Sequence, residues 1–423
     1  MITFYLHSLG CRLNQSELEA LARALAERGG QVVDDPAWAD ICVVNTCAVT
    51  AEAERKTRHL LRALARANPR ARIAVLGCAA TLRPEELASF PGVAWVIPNE
   101  EKARAVEALS PSPEPRRSEK AKLQGMEVGE VRMRTRAFVK IQDGCDNACT
   151  YCVVHILRGP ARSRPSEEVI AEIAERVGEG YQEVVLTGVN IGAYGRDRGF
   201  PDGLAGLIGA ILAHTSVPRL RLSSVEPWDV DESLLALWPN PHLCRQLHLP
   251  LQSGCEATLR RMGRRITAAE YARLLEQIRT AVPDMAVTTD IIVGFPGEDE
   301  AEFAESLAFV ERMAFARLHV FPFSPRPGTP AARMEGQVPE PVVRERAARM
   351  RALGEQMAAA FRRHFLGREM EVLWERRRRD GLWHGLTDTY LQVVTACPAD
   401  LHNRLTLTRL VGEQDGFLVG EVV

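Results

Sequence analysis

Three cysteines, Cys145, Cys149 and Cys152, stand in the spacing C-x-x-x-C-x-x-C directly after an apolar run at 137–141. The run reads as a strand, so the cysteines lie on the loop that follows it. Thiolates this close together suit a metal ion or an iron–sulfur cluster. Three ligands are one short of the four that a cubane cluster or a tetrahedral zinc takes, and an open position is where a substrate binds. Zinc with His155 as fourth ligand is the competing reading. A disulfide framework is a poorer one in a long chain with no secretory signal. Three more cysteines are far apart in sequence but alike in placement: Cys11, Cys47 and Cys78 each follow an apolar run, with Gly10 and Gly77 directly before two of them. If those runs are parallel strands, the three thiols converge on the carboxyl edge of one sheet, where open α/β sheets bind ligands. That predicts a second cluster site, against the alternative of three separate buried thiols. Cys42 lies inside its run and reads as core.

The elements that must position these residues alternate. Strands are expected at 2–6, 40–46, 72–77 and 93–97, with a helix over 51–67 ended by Asn68 and Pro69. An earlier helix carries Leu18, Leu21 and Leu25 on one face, with Ser16 and Glu19 as a capping box at its start. Proline-rich and charged residues over 109–134 read as a linker, with an extended run from 126 to 136. Six βα units follow, with strands at 137–141, 183–186, 219–222, 246–249, 285–293 and 317–321, and helices such as 167–177 and 301–313. They predict a curved parallel sheet or partial barrel with its site at the strand carboxyl ends. Polar or glycine-bearing loops stand there, and they supply Thr187, Gly188, Ser224, Glu226 and Gln252. Glu226, Gln252 and Asp290 are the hydrogen-bonding candidates; turn and cap chemistry is the plainer role for each.

A helix over 341–364 carries Arg344, Arg346, Arg349, Arg351, Arg362 and Arg363. Period-two patterning then takes over at 369–374, 389–394 and 405–410, which predicts a small β-barrel. Arg376 to Arg379 form a run in a hairpin loop, suited to phosphate contact. The fold class is therefore α/β: an N-terminal parallel α/β domain over 1–108, a linker over 109–134, a central six-unit βα partial barrel with its closing helix over 135–364, and a C-terminal small β-barrel over 365–423. A chain of 423 residues with net charge −2 has several domains and no global attraction for an anion, so a nucleic-acid surface must be a local patch. Ten cysteines without a secretory signal point to the reducing cytosol and a cytoplasmic protein; no stretch approaches a membrane span.

The cluster stretch, down to the aromatic Tyr151, resembles the signature of radical S-adenosylmethionine (SAM) enzymes. Those enzymes hold a [4Fe-4S] cluster on three cysteines, and SAM chelates the fourth iron. Further segments at 8–15, 44–50, 76–78, 162–164, 247–254, 289–298 and 326–330 extend the likeness over nearly the whole chain. The chain resembles the methylthiotransferase family, with a radical SAM centre and a TRAM-like, RNA-binding β-barrel. Segments 10–15 and 319–324 look most like the MtaB type, which modifies N6-threonylcarbamoyladenosine in tRNA; Ser16 departs from it, standing where an aromatic is common. The resemblance implies two [4Fe-4S] clusters, one on Cys145, Cys149 and Cys152, the other on Cys11, Cys47 and Cys78. The first, reduced, cleaves SAM to a 5′-deoxyadenosyl radical that takes hydrogen from C2 of the adenine; the second carries or delivers the sulfur. Chemistry agrees, because an aromatic C–H offers no acidic proton and a radical cofactor is needed. The candidate SAM contacts are Tyr151 of the cluster stretch and, from the strand-end loops and the strand at 285–293, Thr187, Gly188, Ser224, Glu226, Gln252 and Asp290. Implied partners are the tRNA anticodon loop at position 37, an electron donor such as flavodoxin or ferredoxin, and a sulfur donor. The rivals are methylthiolation of isopentenyladenosine tRNA or of a ribosomal-protein aspartate, and a non-catalytic zinc RNA-binding protein.

Overall fold

In the N-terminal unit, Met1–Arg134, the apolar runs become a parallel sheet of order β2-β1-β3-β4-β5. Its strands are β1 (Thr3–Ser8), β2 (Gln31–Val33), β3 (Ile41–Thr46), β4 (Arg72–Gly77) and β5 (Val93–Ile97). The computed structural model describes residues 1–110, 135–200 and 202–423, so residues 111–134 of the expected linker, and most of the extended run from 126, lie outside the described residues. β3 is buried along its whole length, as a strand covered on both faces must be. The helix Arg12–Glu27 buries Leu18, Leu21 and Leu25 against Phe4, Val43 and Leu76. The helix Ala51–Ala67 is capped by Thr50, whose hydroxyl accepts from the Ala53 N–H at 3.2 Å.

One local expectation is corrected, and one strand was not foreseen. The capping box of Ser16 and Glu19 does not form, because the helix starts a turn earlier, at Arg12, with Cys11 at its cap, and Ser16 is buried inside it. Tertiary bonds explain the shift: the Asn14 amide donates to Leu9 O at 2.9 Å and Thr46 O at 2.8 Å, drawing the first turn onto the sheet. The strand β2, short and half-buried, carries too few apolar residues to show as a run.

The second unit, Thr135–Val423, holds the six βα strands: β6 (Arg136–Lys140), β9 (Glu183–Thr187), β10 (Arg219–Leu222), β11 (Gln246–His248), β12 (Ala286–Val293) and β13 (Arg317–Pro322). A two-residue pair, β7 (Gln142–Asp143) with β8 (Arg162–Ser163), interrupts the series after β6. All six pair in parallel, as β10-β9-β6 and β11-β12-β13, and bridges at Leu220–Leu243 and Ser224–His248 join the two sets. One continuous core backs the strands, with Val184, Leu222, Leu249 and Ile291 meeting helices such as Ser166–Gly178 and Ala268–Ala281. The long helix Glu340–Arg363 lies against β13, where Gly354 leaves room for Leu318. Its basic character is largely compensated: Arg346 is buried on Glu298 at 2.9 Å, Arg349 meets Glu300 at 2.7 Å, and Arg362 meets Glu413 at 2.6 Å.

Residues from Glu369 onward close a barrel of order β14-β15-β16-β18-β17. Its strands are β14 (Glu369–Arg377), β15 (Trp383–Thr387), β16 (Gln392–Thr395), β17 (Leu405–Gln414) and β18 (Phe417–Val422), around a buried Trp374. The strand expected over 389–394 starts only at Gln392, since Tyr390 takes φ +65° and turns the chain. No helix among the described residues is long and apolar enough to cross a membrane.

Candidate functional site

β6 runs into Ile141 and the β7 turn, and the three cysteines follow on a loop fixed from several sides. Gly144 has φ +72°, and a Cβ there would sit 1.9 Å from Pro160 O, so only glycine fits. The Gln142 side chain ties this loop to the end of β9: it donates to Gly144 O at 2.7 Å and accepts from Val189 and Asn190 N–H at 3.1 and 2.9 Å. Thr150 N–H donates to Met262 O at 2.9 Å, and its carbonyl accepts from Ala331 N–H at 2.9 Å.

The environment of the thiols suits ligands more than nucleophiles. Backbone N–H groups of Asn147 and Val154 lie 3.4 Å from the sulfurs of Cys145 and Cys152, and Arg264 Nη1 lies 3.9 Å from that of Cys149. Such donors favour thiolate ligands and tune a cluster. Burial pushes the Cys145 thiol up, and it pushes Cys152 up to about 12, with Cys149 and Cys145 adding to the shift of Cys152. A redox or nucleophilic cysteine needs the opposite shift. These thiols lose their protons when a metal takes them.

A single tetrahedral zinc, with Zn–S bonds of about 2.3 Å, holds its sulfurs roughly 3.8 Å apart. Among the described residues, the one trio of His, Cys, Asp or Glu ligand atoms all within 4.8 Å of one another is His248, Asp290 and His319. No three of Cys145, Cys149, Cys152 and His155 meet that limit. The N–H donors beside Cys145 and Cys152 and the guanidinium beside Cys149 are what thiolates that hold a cluster require.

Around this loop stand the strand-end residues. Glu226 Oε2 accepts from the guanidinium of Arg264 at 2.7 Å. Arg264 is itself buried, over the Trp228 ring at 4.6 Å. Gly188 lies against Gln142, where a Cβ would stand 2.9 Å from its carbonyl oxygen, and Thr187 O accepts from Ile141 N–H at 2.9 Å. Ser224 bridges to His248, and Gln252 takes φ +75° between Asp290 and Ile292, bonded to both through its backbone. Tyr151 packs with Met262, Phe295 and Ala331, and burial raises its hydroxyl well above the usual range. Asp290 stands apart from the cysteine loop's hydrogen bonds: its two oxygens face His248 Nε2 at 3.3 Å and His319 Nδ1 at 3.2 Å. Sequence reasoning missed Arg264, His248 and His319. Both histidines lie in quoted segments, and an ionisable residue at an alternate position of an apolar strand was the available signal.

In the N-terminal unit, Cys11, Cys47 and Cys78 follow β1, β3 and β4, three adjacent parallel strands, at one sheet edge. The first two loops touch: a Cβ on Gly10, at φ +105°, would be 2.5 Å from Cys47 Cβ and 3.1 Å from its sulfur. The third is tied in by Thr46, whose hydroxyl donates to Leu76 O at 2.6 Å and accepts from Ala79 N–H at 3.2 Å. Asn99 Nδ2 stands 3.5 Å from the Cys78 sulfur. Cys47 and Cys78 are buried and Cys11 is exposed, so this thiol set opens to solvent on one side. Cys42 is core, as expected, and burial lifts it to about 11.

Known proteins resemble the chain along most of its length. Residues 3–97 match the family described as uncharacterized protein family UPF0004, and residues 139–310 match the radical SAM superfamily. The threonylcarbamoyladenosine tRNA methylthiotransferase MtaB of Thermotoga maritima is 40% identical over 93% of this chain and 91% of its own. The Bacillus subtilis protein of that name is 36% identical over 97% and 94%. A tRNA-2-methylthio-N(6)-dimethylallyladenosine synthase of Frankia alni is 39% identical over 88% of this chain and 77% of its own. Among solved structures, the radical SAM methyltransferase TsrM of Kitasatospora setae shares the fold at TM-score 0.55 and 15% identity, over 78% of this chain and 77% of its own.

Proposed function

Because this chain belongs to the radical SAM methylthiotransferase family, we propose that it adds a methylthio group to C2 of N6-threonylcarbamoyladenosine at position 37 of tRNA, beside the anticodon. The observation that carries the reading is the pairing of two cysteine trios, each following the carboxyl end of parallel strands, in one chain. Cys145, Cys149 and Cys152 would hold the [4Fe-4S] cluster that binds SAM, and Cys11, Cys47 and Cys78 a second one. When bound, these groups supply a 5′-deoxyadenosyl radical that takes the C2 hydrogen and the sulfur that replaces it.

The chain's own residues hold and shield. The N–H groups of Asn147 and Val154, with Arg264, neutralise charge on the thiolates. Gln142 fixes the spacing between the cysteine loop and the Thr187–Gly188 turn. Tyr151, Thr187, Gly188, Ser224, Glu226 and Gln252 are the residues of the cysteine loop and strand ends that would contact SAM. Asp290, the remaining candidate, is bonded to His248 and His319. Arg376 and Arg379, exposed at the end of β14 and in its turn, would meet RNA phosphates, in keeping with a TRAM-like role for 365–423. Regions 1–108, 135–364 and 365–423 then divide the labour as auxiliary-cluster, radical SAM and RNA-binding parts. A flavodoxin or ferredoxin and a sulfur donor complete the set, in the cytoplasm.

The MtaB protein of Thermotoga maritima combines 40% identity with 93% of this chain, against 39% over 88% for the Frankia alni dimethylallyladenosine enzyme and 36% over 96% for that of Novosphingobium aromaticivorans; this supports the threonylcarbamoyl substrate, and product analysis decides between the two. The test is iron and sulfide analysis with EPR on anaerobically purified protein. About eight irons per chain are expected, falling to about four when Cys145, Cys149 and Cys152 are all replaced by alanine. Mass spectrometry of tRNA nucleosides from cells lacking and regaining the gene then identifies the product. Stoichiometric zinc in place of iron, or full iron in the triple variant, sinks the proposal.

A further inference from the structure

His248 ends β11, Asp290 lies midway along β12, and His319 pairs with Asp290 from β13. Their strand neighbours Leu247, Leu249, Val287 and Ile291 belong to the helix-covered core. Side chains alternate along a strand, so the three face the opposite, concave side of the barrel. A barrel interior that serves folding alone is filled with Val, Ile and Leu. Here one carboxylate is shared by two imidazoles, with ring centroids 5.5 Å apart. His248 Nδ1 meets Thr288 Oγ1 at 2.9 Å, so both its nitrogens are engaged. His319 is the most open of the three, with 42% of its side chain exposed, and among the described residues no protein atom engages its Nε2. Two residues before His248, on the same face, Gln246 buries its Oε1 without a partner.

The rival tRNA substrates differ at the group that would meet this wall. A threonylcarbamoyl substituent carries a carboxylate and a hydroxyl; a dimethylallyl group is all carbon. Burial pushes the Asp290 carboxyl up, but the hydrogen bonds and charges of His248 and His319 outweigh it and hold the group well below the usual range. Asp290 is therefore ionised, and the two imidazoles that flank it leave one ring nitrogen, His319 Nε2, for a ligand on the open side. The substituent sits on the same six-membered ring as C2, so a base that presents C2 at the strand ends keeps its N6 group within the same barrel mouth.

We propose that His319 and His248, clamped on Asp290, form the subsite that holds the polar substituent on N6 of the target adenosine, with His319 Nε2 facing its carboxylate. The inference rests on the substrate reading above and gives it a specificity-determining residue. A charge-assisted hydrogen bond to a buried carboxylate contributes about ten- to a hundredfold in affinity.

The test uses the full reconstituted chain with anticodon stem-loops carrying adenosine, N6-threonylcarbamoyladenosine or N6-dimethylallyladenosine at the target position. Binding is read by fluorescence anisotropy, and KM and kcat by product formation. Wild type should prefer the threonylcarbamoyl stem-loop over plain adenosine by about tenfold or more. His319→Phe should collapse that preference through KM, and His319→Gln, which keeps a donor, should recover part of it. His319 is open enough for both variants to fold; equal melting temperature and iron content check this. An unchanged preference in folded His319→Phe, with wild type methylthiolating the threonylcarbamoyl substrate, overturns the subsite alone. Turnover of only the dimethylallyl substrate by wild type overturns the substrate reading and the subsite with it. A stoichiometric divalent ion in wild type that is lost in Asp290→Asn also overturns the subsite, by making the trio a metal site.

Discussion

Gly144 and Arg264 show how single residues hold the cysteine loop. At Gly144 a methyl group would overlap the Pro160 carbonyl, and φ +72° already disfavours any side chain. Gly144→Ala should therefore cost the chain about four of its irons per molecule, read by colorimetric iron assay, while the N-terminal unit keeps its own. Retention of all iron would mean that the loop can re-form around a side chain. Arg264, with its side chain fully buried, pairs with Glu226, itself only 18% exposed. Removing one partner of a buried pair leaves an uncompensated charge, so Arg264→Met should lower stability by about 3 kcal/mol in denaturant titration. Adding Glu226→Leu should recover most of that loss; equal stability of wild type and Arg264→Met would show the pair to be dispensable. The cysteines were legible in the sequence because three thiols at short spacing state their chemistry locally. Arg264 was not, because its meaning comes from Cys149 and Glu226, 115 and 38 residues away.

At the scale of elements, β4, β5 and β10 begin and end where the pattern predicts: β4 as a buried apolar run, β5 as a short apolar edge strand, and β10 through the alternation of Arg219, Leu220, Arg221 and Leu222. The short β2 and β15 escaped, and the strand read at 389–394 begins only at Gln392, because tertiary pairing, not local pattern, sets them. The His248–Asp290–His319 trio escaped for a related reason: it exists only through the register of three strands. Register also brings Glu183, at the start of β9, against Arg219 and Arg221 of β10 at 2.9 and 2.7 Å. Burial raises the Glu183 carboxyl, but Arg221, Arg219 and Arg136 outweigh it and bring it down to about 2. An unfolded glutamate titrates near ~4.3. The folded value is the lower one, so this carboxylate's stabilisation is complete above about pH 4.5 and is lost as pH falls toward about 2. Denaturant titrations should show the wild-type free energy declining through that window, with a shallower decline in Glu183→Gln. At pH 7 the variant should be less stable by about 3–5 kcal/mol, two buried guanidinium groups having lost their counter-charge. Parallel curves for the two proteins would sink this account.

That ion cluster also decides how the second unit behaves as a whole. Arg221 Nη1 donates to Asp388 O at 2.8 Å and its Nη2 to Thr387 O at 3.0 Å, and Arg219 Nη1 donates to Leu386 O at 3.1 Å. Arg136 meets Glu375 at 2.8 Å, and Arg245 meets Asp388 at 2.6 Å. The C-terminal barrel thus satisfies donors on β6 and β10, at or near the amino ends of the strands and opposite the cysteine loop. A barrel that merely carried an RNA-binding surface could be removed without harm to the rest; one that completes a buried network cannot. Deletion of 365–423 should therefore give an aggregating chain rather than a folded enzyme with weak tRNA affinity, because each stranded guanidinium costs several kcal/mol. The surface role separates cleanly at Arg376 and Arg379, since Arg377 donates to Gly381 O at 2.9 Å and Arg378 lies over the Phe417 ring at 4.6 Å. Replacing Arg376 and Arg379 with alanine should leave the melting temperature unchanged. It should weaken tRNA binding and reduce the slope of log affinity against log salt by about 1–2, as two phosphate contacts are lost. A soluble, cooperatively melting deletion chain would refute the fused-barrel argument, and an unchanged salt slope in the double variant would move the RNA surface elsewhere on the molecule.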